Sequence, residues 1–533
     1  MTALFGEWAA LLPLLVLAMA GMAMLFVDAF VKENAQLGLF AAVILGGTAM
    51  VSVGLWDEQV TAAAPALLGG YLASDRLALF ADVSMCLGAA LACLLAGGYL
   101  REHKIERGEF YVLVVWATLG GMALVRATDL LALFVSLEAL SLGVYCLVAF
   151  RRHSPKSAEG AMKYFLLGSF ASAILLFGMA LLYGATVHTD FAGMAEAFRT
   201  GETGDGLVDM RLGILGMALV LIGLAFKVSA VPFHMWTPDA YEGAVTPATT
   251  YMAVVVKAAT VMVIVRVFFG VFGTEMLAGT ASGWPTAVFW LAAITLVVGN
   301  VAALVQKNVK RMLAYSSIAH AGFLLVGIAA AARFDEGRLT TEAVSSVLFY
   351  VLAYTVSNVL AFGSLIAVGS RGKEAVSYED LAGVGRRHPW IGVPFTLGIL
   401  SLMGFPPTAG FFGKYWVLEA AVSAGGDMTY LAILAVLMSA VGAYYYLKVL
   451  VYLFMKQPEQ GAPVAVPMRS GYVVAALVLS AYFVMRMGLA PTAYLELAQG
   501  ASYQLAGLPD PNAAPAEPAT EAEGTEVAAA AGE

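Results

Sequence analysis

The sequence predicts an all-α polytopic membrane protein of about 14 transmembrane helices. Within it lie two inverted five-helix repeats (helices 4–8 and 9–13), each with a broken fourth helix. Three observations carry this reading. Of 533 residues, 61% are hydrophobic and 12% charged, against roughly 45–50% apolar and about 25% charged in an ordinary soluble domain. Mean hydropathy is +0.83. Apolar runs long enough to cross a bilayer recur along the chain, and two of them are interrupted by proline beside a lysine. This composition excludes a secreted disulfide scaffold, a disordered chain and a nucleic-acid binder. The net charge of −8 says little about partners, because the Ala/Pro/Glu-rich C-terminus supplies much of it. Cys86, Cys93 and Cys146 lie in apolar runs without CxxC or metal-ligand spacing, so they suit packing.

A spanning helix needs about 20 mostly apolar residues. The candidates lie near 8–30, 36–55, 77–99, 109–126, 129–150, 158–184, 211–236, 246–272, 284–305, 312–332, 342–369, 390–420, 428–455 and 470–489. The first is not a cleaved signal peptide: Glu7 is the only charge before it, and its apolar stretch is too long. Lys and Arg in the loops set the orientation. Loops after odd-numbered spans hold 16, from Lys32 through Arg101, Lys104, Arg107, Arg151, Arg152, Lys156, Lys307, Lys310 and Arg311 to Arg469; the other side holds 7. The odd loops therefore face the cytoplasm, and both termini face outward.

The organisation that follows is three N-terminal spans (1–108), a first five-helix repeat (109–272), a second, inverted repeat (284–455), a last span (456–489) and a tail (490–533). The tail is expected to be mostly disordered, since from Pro509 it is Ala, Pro and acid and cannot build a core. In the long loop 185–210, residues 191–198 suit a short surface helix and 201–206 a flexible turn.

Six Lys and Arg fall inside spans: Lys163, Lys227, Lys257, Arg266, Lys414 and Lys448. A charge at a helix centre costs about 2.5–3.5 kcal/mol on insertion scales. Long side chains near helix ends can snorkel to the interface, which suits Lys448 and Arg266 and is an even alternative for Lys163. Lys257, in mid-helix, needs a polar interior. Glu138 sits about 20 Å of helix from Arg151, and a carboxylate there must be neutral or paired. His320 lies mid-span. His234 follows Lys227 by seven residues and shares its face if the helix continues. Either histidine alone reads as a packing residue; beside buried lysines, a group titrating near 6.5 suits proton passing.

The helix carrying Lys227 should break at Pro232, because proline removes a backbone donor and clashes with the preceding turn. The run 212–226 is too short to span alone. A second break falls at 404–410 (GFPPTAG), followed by Lys414. Irregular backbone at membrane depth survives only inside protein or beside a watery cavity. Each break is fourth in a set of five helices, and an odd set inverts its successor. Paired interrupted helices in inverted halves mark transporters.

These residues resemble a known family. Segments 137–142 (LEALSL), 163–170 (KYFLLGSF), 226–243 (FKVSAVPFHMWTPDAYEG), 313–320 (LAYSSIAH) and 404–414 (GFPPTAGFFGK) are similar to the antiporter-like membrane subunits of the proton-pumping NADH:quinone oxidoreductase, respiratory complex I. The N-type branch fits best. Lys414 stands where the M type carries Glu, and the L type is longer, with a lateral helix. The resemblance implies Glu138 as the carboxylate partner of Lys227, Lys257 as the central connecting site and Lys414 as the outlet. It implies His234 and His320 as relay groups and Lys163 as an auxiliary basic site. One departure is Val256, where many relatives carry Pro directly before the lysine.

The resemblance further implies no cofactor or metal in this chain, with FMN, iron–sulfur clusters and quinone in partner subunits. Those partners would be the M and L types, the small K, J and A types, the H type and, through them, the peripheral redox arm. The expected place is a bacterial inner (cytoplasmic) membrane, with both termini periplasmic and no nucleic-acid partner. A lysine near 10.4 is too basic to exchange protons at neutral pH, but desolvation and a nearby carboxylate tune it in opposite senses. The alternatives are a subunit of a multi-subunit cation/proton antiporter or membrane-bound hydrogenase, and a stand-alone carrier of a small solute.

Overall fold

The computed structural model describes residues 6–30, 35–56, 66–203, 206–279, 283–332, 340–369, 374–458 and 467–508. Lys32, Arg333, Arg338, Arg371, Lys373 and the tail from Pro509 lie outside them. Among the described residues, 13 helices are long and apolar enough to cross a membrane. They are α1 (Leu12–Phe30), α2 (Ala35–Gly54), α3 (Arg76–Glu102), α4 (Glu109–Arg126), α5 (Leu130–Val148) and α6 (Pro155–Thr186). After a short α7 (Phe191–Thr200) come α8 (Met210–Val228), a short α9 (Trp236–Gly243) and α10 (Thr246–Gly270). Next are α11 (Trp284–Leu304), α12 (Val309–Ala331) and α13 (Thr341–Val368). The twelfth expected span, 390–420, is two pieces, α14 (Pro389–Met403) and α15 (Ala409–Ser423). The chain continues through α16 (Asp427–Phe454) and α17 (Gly471–Leu489).

Capping residues in short connections start many of these helices. The Asp75, Asp129 and Asp190 carboxylates accept from Ala78 N, Leu131 N and Gly193 N, and the Asn308 side chain accepts from Arg311 N. Each satisfies a backbone donor left free in the first turn. The expected surface helix is α7, whose Phe191, Met194, Ala197 and Phe198 are buried against the bundle. Residues 202–203 and 206–207 of the expected flexible turn pair as a short antiparallel hairpin.

The core is made by three helices. The apolar windows of α10 and α13 are 100% buried and that of α12 is 94% buried, against 33% for α16. A helix enclosed on all sides can carry polar groups without facing lipid. Corresponding pairs in the two halves pack alike. Gly120 of α4 lets α5 approach so closely that a Cβ there would lie 2.6 Å from Leu140 N; Gly299 of α11 does the same with Ala319 N of α12, at 2.7 Å.

Three expectations need correction. The break expected at Pro232 in the seventh span opens earlier: α8 ends at Val228, four residues before Pro232, with Ser229 in the left-handed region at φ 66°. Residues 490–508 are not a disordered tail, because α18 (Thr492–Leu505) packs on α13 and α3. Its buried face is Ala498, Gly500, Ala501 and Ser502. Small residues permit that close packing but give no hydrophobic signal in the sequence. Ser345 and Ser502 share a hydrogen bond of 2.7 Å, and Arg76 N donates to Gln504 Oε1 at 2.7 Å. Arg266 does not snorkel either: it is 5% exposed and bonds Asp75 at 2.6 Å. Lys448 is half-buried, with its Nζ 4.2 Å from the ring of the buried Tyr378.

Candidate functional site

Both helix breaks place a lysine beside freed backbone. In the first, the break holds a cis Val231–Pro232 bond. Phe226 O accepts from Trp236 Nε1 at 3.0 Å, Thr237 Oγ1 donates to Ser229 Oγ at 2.7 Å, and Val231 N donates to Thr295 Oγ1 at 2.9 Å. These bonds replace the helical ones that the break removes. Lys227 lies in the last turn of α8, where the helix dipole favours a cation. In the second, Gly404 adopts φ 89°, a left-handed helix end that glycine takes without strain. The Pro406–Pro407 bond is cis. Gly410 N donates to Ser401 Oγ at 3.1 Å, and Lys414 Nζ reaches back to Met403 O at 2.9 Å, the carbonyl that α14 leaves free.

Lys227, 3% exposed, donates to Ser141 Oγ at 2.6 Å and to Tyr145 OH at 3.4 Å. Its ammonium also lies 5.8 Å from the Tyr164 ring. Glu138 is one turn before Ser141 on α5, hence on the same face. Its Oε1 accepts from Ser172 Oγ at 2.5 Å. The carboxylate and Lys227 therefore meet through the Ser141 turn rather than by direct contact.

The central group is the most connected. Lys257, 2% exposed, donates to the Ser317 carbonyl and, at 2.6 Å, to Ser317 Oγ. Tyr354 OH donates to the same Oγ at 2.8 Å. Next along α12, Ser316 Oγ bonds Tyr446 OH. That phenol also lies 3.0 Å from His320 Nε2, and His320 Nδ1 is 2.5 Å from Tyr350 OH. Phe323 follows on α12, with its ring 4.8 Å from Lys414 Nζ. Lys414 also donates to Ser439 Oγ at 3.2 Å.

The helical distortion before Lys257 needs no proline: residues Met252–Val256 form a π turn directly ahead of it. Such turns recur at functional sites.

Two expected members stand apart from this row. His234 lies in the break, half-buried, and does not share a helix face with Lys227. Lys163 is 43% exposed and pairs with Glu159 at 2.6 Å and Asp239 at 2.7 Å. It belongs to a surface network in which Arg311 bonds Asp239 and Glu242, and Lys156 bonds Glu242. Burial raises the pKa of Asp239 and Glu242, but these cations outweigh it and hold both carboxyls below the usual range.

Sequence reasoning missed several groups. Ser317 and Tyr354 surround Lys257, and Ser316, Tyr350 and Tyr446 surround His320, yet hydroxyls at helical spacing resemble packing. Asp82 and Arg126 form a fully buried bidentate pair at 2.5 and 2.6 Å, with Ser52 Oγ donating to Asp82 at 2.8 Å.

Glu374 was missed too. It accepts from Tyr99 OH, from Thr246 Oγ1 at 2.8 Å and from Lys310 Nζ at 3.5 Å. Burial pushes its pKa up, but Lys310 and these donors dominate and bring it to about 2. A depressed carboxylate stabilises fully above its unfolded pKa, near 4.5, and the gain is lost as pH falls towards about 2. Glu374→Gln should therefore weaken amide protection at Val309, whose N bonds Val376 O, by about 1–3 kcal/mol at pH 7. Hydrogen exchange should show that difference shrinking as pH falls through 4.

The fold and these two broken-helix lysine sites define a class: an antiporter-like membrane subunit. The profile described as NADH:quinone oxidoreductase/Mrp antiporter, TM, matches residues 127–442. The chain is 52% identical to NADH-quinone oxidoreductase subunit N 1 of Sorangium cellulosum over 508 residues, covering 93% of this chain and 98% of that one. It is 39% identical to NADH-quinone oxidoreductase subunit N of Myxococcus xanthus over 518 residues, covering 91% and 95%. A chain of respiratory complex I from Thermus thermophilus with bound aureothin superposes at TM-score 0.75 and 34% identity, over 92% of this chain and 100% of that one. A chain of an archaeal membrane-bound sulfane sulfur reductase, at 24% identity and TM-score 0.80, shares the fold; it covers 94% of this chain and 98% of that one. The chain belongs to the NADH-quinone oxidoreductase subunit N family.

Proposed function

We propose that the buried lysine–hydroxyl–histidine row is a proton path through this subunit. The chain is a multi-pass membrane subunit of a proton-translocating NADH:quinone oxidoreductase and works within a multi-subunit complex. The observation that carries the path is a pair of buried hydrogen-bonded clusters, Lys257 with Ser317 and Tyr354, and His320 with Tyr446, Ser316 and Tyr350, brought together by the neighbouring residues Ser316 and Ser317 of the enclosed helix α12. Lysine and histidine hold and release protons, hydroxyls pass them, and neither group needs a cofactor. In this reading Lys227, modulated by Glu138, loads the path. Lys257 and His320 relay, and Lys414 is the outlet. His234 borders the first break and Lys163 tunes Asp239 at the surface, both auxiliary roles.

The proposed repeats are 109–272 and 284–455, with 1–108 and the last span at 456–489 outside them; the like packing at Gly120 and Gly299 supports pairing α4–α5 with α11–α12. The redox work, with FMN, iron–sulfur clusters and quinone, belongs to partner subunits. The proposed neighbours are the M and L types, the smaller K, J and A types, the H type and the peripheral arm. The proposed place is the bacterial inner membrane with both termini on the periplasmic face, from the loop-charge bias. An antiporter or hydrogenase subunit would share the fold, but the three relatives above 30% identity described above are two subunit N chains and a complex I chain.

The test is Lys257→Met in the intact complex, reconstituted in vesicles. NADH-driven proton uptake per assembled complex should fall severalfold, which is about 1 kcal/mol or more of barrier, while NADH oxidation by the peripheral arm with an artificial acceptor is unchanged. Uptake at the wild-type level would remove Lys257 from the path.

A further inference from the structure

A second charged region lies away from the buried row. The turn between α3 and α4 and the turn between α5 and α6 face each other across an open cavity of about 500 Å³. Lys104 and Arg107 line it from the first turn, and Arg151 and Arg152 from the second. Glu106 is the one carboxylate in its wall. Lys104 and Arg107 make no ion pair with a described residue, and Arg152 reaches Glu109 only at 3.9 Å, both side chains more than half exposed. The contrast with another basic turn on the same side is informative. There Lys310 and Arg311 are neutralised by Glu374, Asp239 and Glu242. Lys104 also holds φ 55°, a left-handed position where glycine is the relaxed choice.

The cavity lies where α3 and α5 end and α4 and α6 begin, the depth of lipid headgroups. Ile105 and Phe150 give it an apolar flank. We infer that it is a binding site for the phosphodiester headgroup of an anionic phospholipid. Basic pockets between the ends of membrane helices take such headgroups. Guanidinium groups bind phosphate oxygens through paired hydrogen bonds, and the apolar flank suits the glycerol and first acyl carbons. The volume is well above that of a single phosphate ion, which favours the lipid.

The test uses the intact complex in phosphatidylcholine vesicles containing a photoactivatable phosphatidylglycerol. Cross-links should map to 103–107 and 150–154, and unlabelled phosphatidylglycerol should displace them where phosphatidylcholine does not. Lys104→Gln, Arg107→Gln and Arg152→Gln together should lower labelling about tenfold. Arg199→Gln, at an exposed side chain of α7, removes a charge elsewhere and should leave labelling unchanged. If the triple variant does not assemble, the displacement experiments on the wild-type complex decide. Undiminished labelling in the triple variant overturns the inference. So does equal displacement by phosphatidylcholine, or displacement by inorganic phosphate at the same concentration, which would mark a small-anion site.

Discussion

Lys227→Met should leave an assembled complex whose proton pumping and coupled quinone reduction both fall by about tenfold or more, or ~1.4 kcal/mol of barrier. The ammonium is buried on two hydroxyls, Ser141 and Tyr145, at the end of a broken helix. If Lys227 only packed, an apolar replacement of similar length would be neutral or stabilising, because burying a charge is costly. Lys227→Arg should also slow turnover, since a guanidinium does not deprotonate at working pH. Glu138→Gln should resemble Lys227→Met: Glu138 lies one turn from the Ser141 contact, and its loss removes the charge that modulates the lysine. The measurement is proton uptake in vesicles normalised to assembled complex. Normal uptake by Lys227→Met would sink the loading role.

Arg126→Met should destabilise the chain by about 3–5 kcal/mol, because it strands Asp82 without its partner in a site with 0% exposure. Asp82→Leu combined with Arg126→Met should recover most of that loss, since an apolar pair of similar volume replaces the ionic one. Thermal midpoints of the purified complex, and its yield in membranes, would register both changes. A single variant as stable as the wild type would show that Asp82 finds another partner or takes up a proton. This pair joins α3 to α4 and has no contact with the lysine row, so its effect should fall on assembly rather than on turnover per complex.

Much of the architecture was legible because a bilayer imposes a simple length rule, and twenty apolar residues announce a span regardless of tertiary context. The breaks were legible as well, since Pro232 and the Pro406–Pro407 pair cannot sit inside regular helices. The lysines showed themselves by cost. Arg126 did not, because it ends its helix and reads as a loop cation, and Asp82 is a lone acid in a long apolar run; only the fold brings them together. Arg266 was misread for the same reason, as its partner Asp75 is 191 residues away. α18 was invisible because Ala, Gly and Ser are the residues of both a linker and a tight helix contact. The hydroxyl contacts of Lys257 and of His320 depend on which face of α12, α13 and α16 each Ser and Tyr presents, and periodicity alone cannot assign partners across three helices.

The π turn at Met252–Val256 bears on how this protein can be altered. Such a turn holds one residue more than regular α-helical winding, so it behaves as a tolerated insertion inside a helix. Removing one of those five residues would restore regular α-helical winding and leave the turns on either side close to their present directions. Removing one residue from the regular turn Thr246–Tyr251 would instead swing that turn by about 100° relative to Lys257 and its contact with Ser317. A deletion within 252–256 should thus cost proton uptake less than a deletion within 246–251. The aim of this side chain is set by a count of residues, and sequence comparisons that score only which amino acid is present will overlook it.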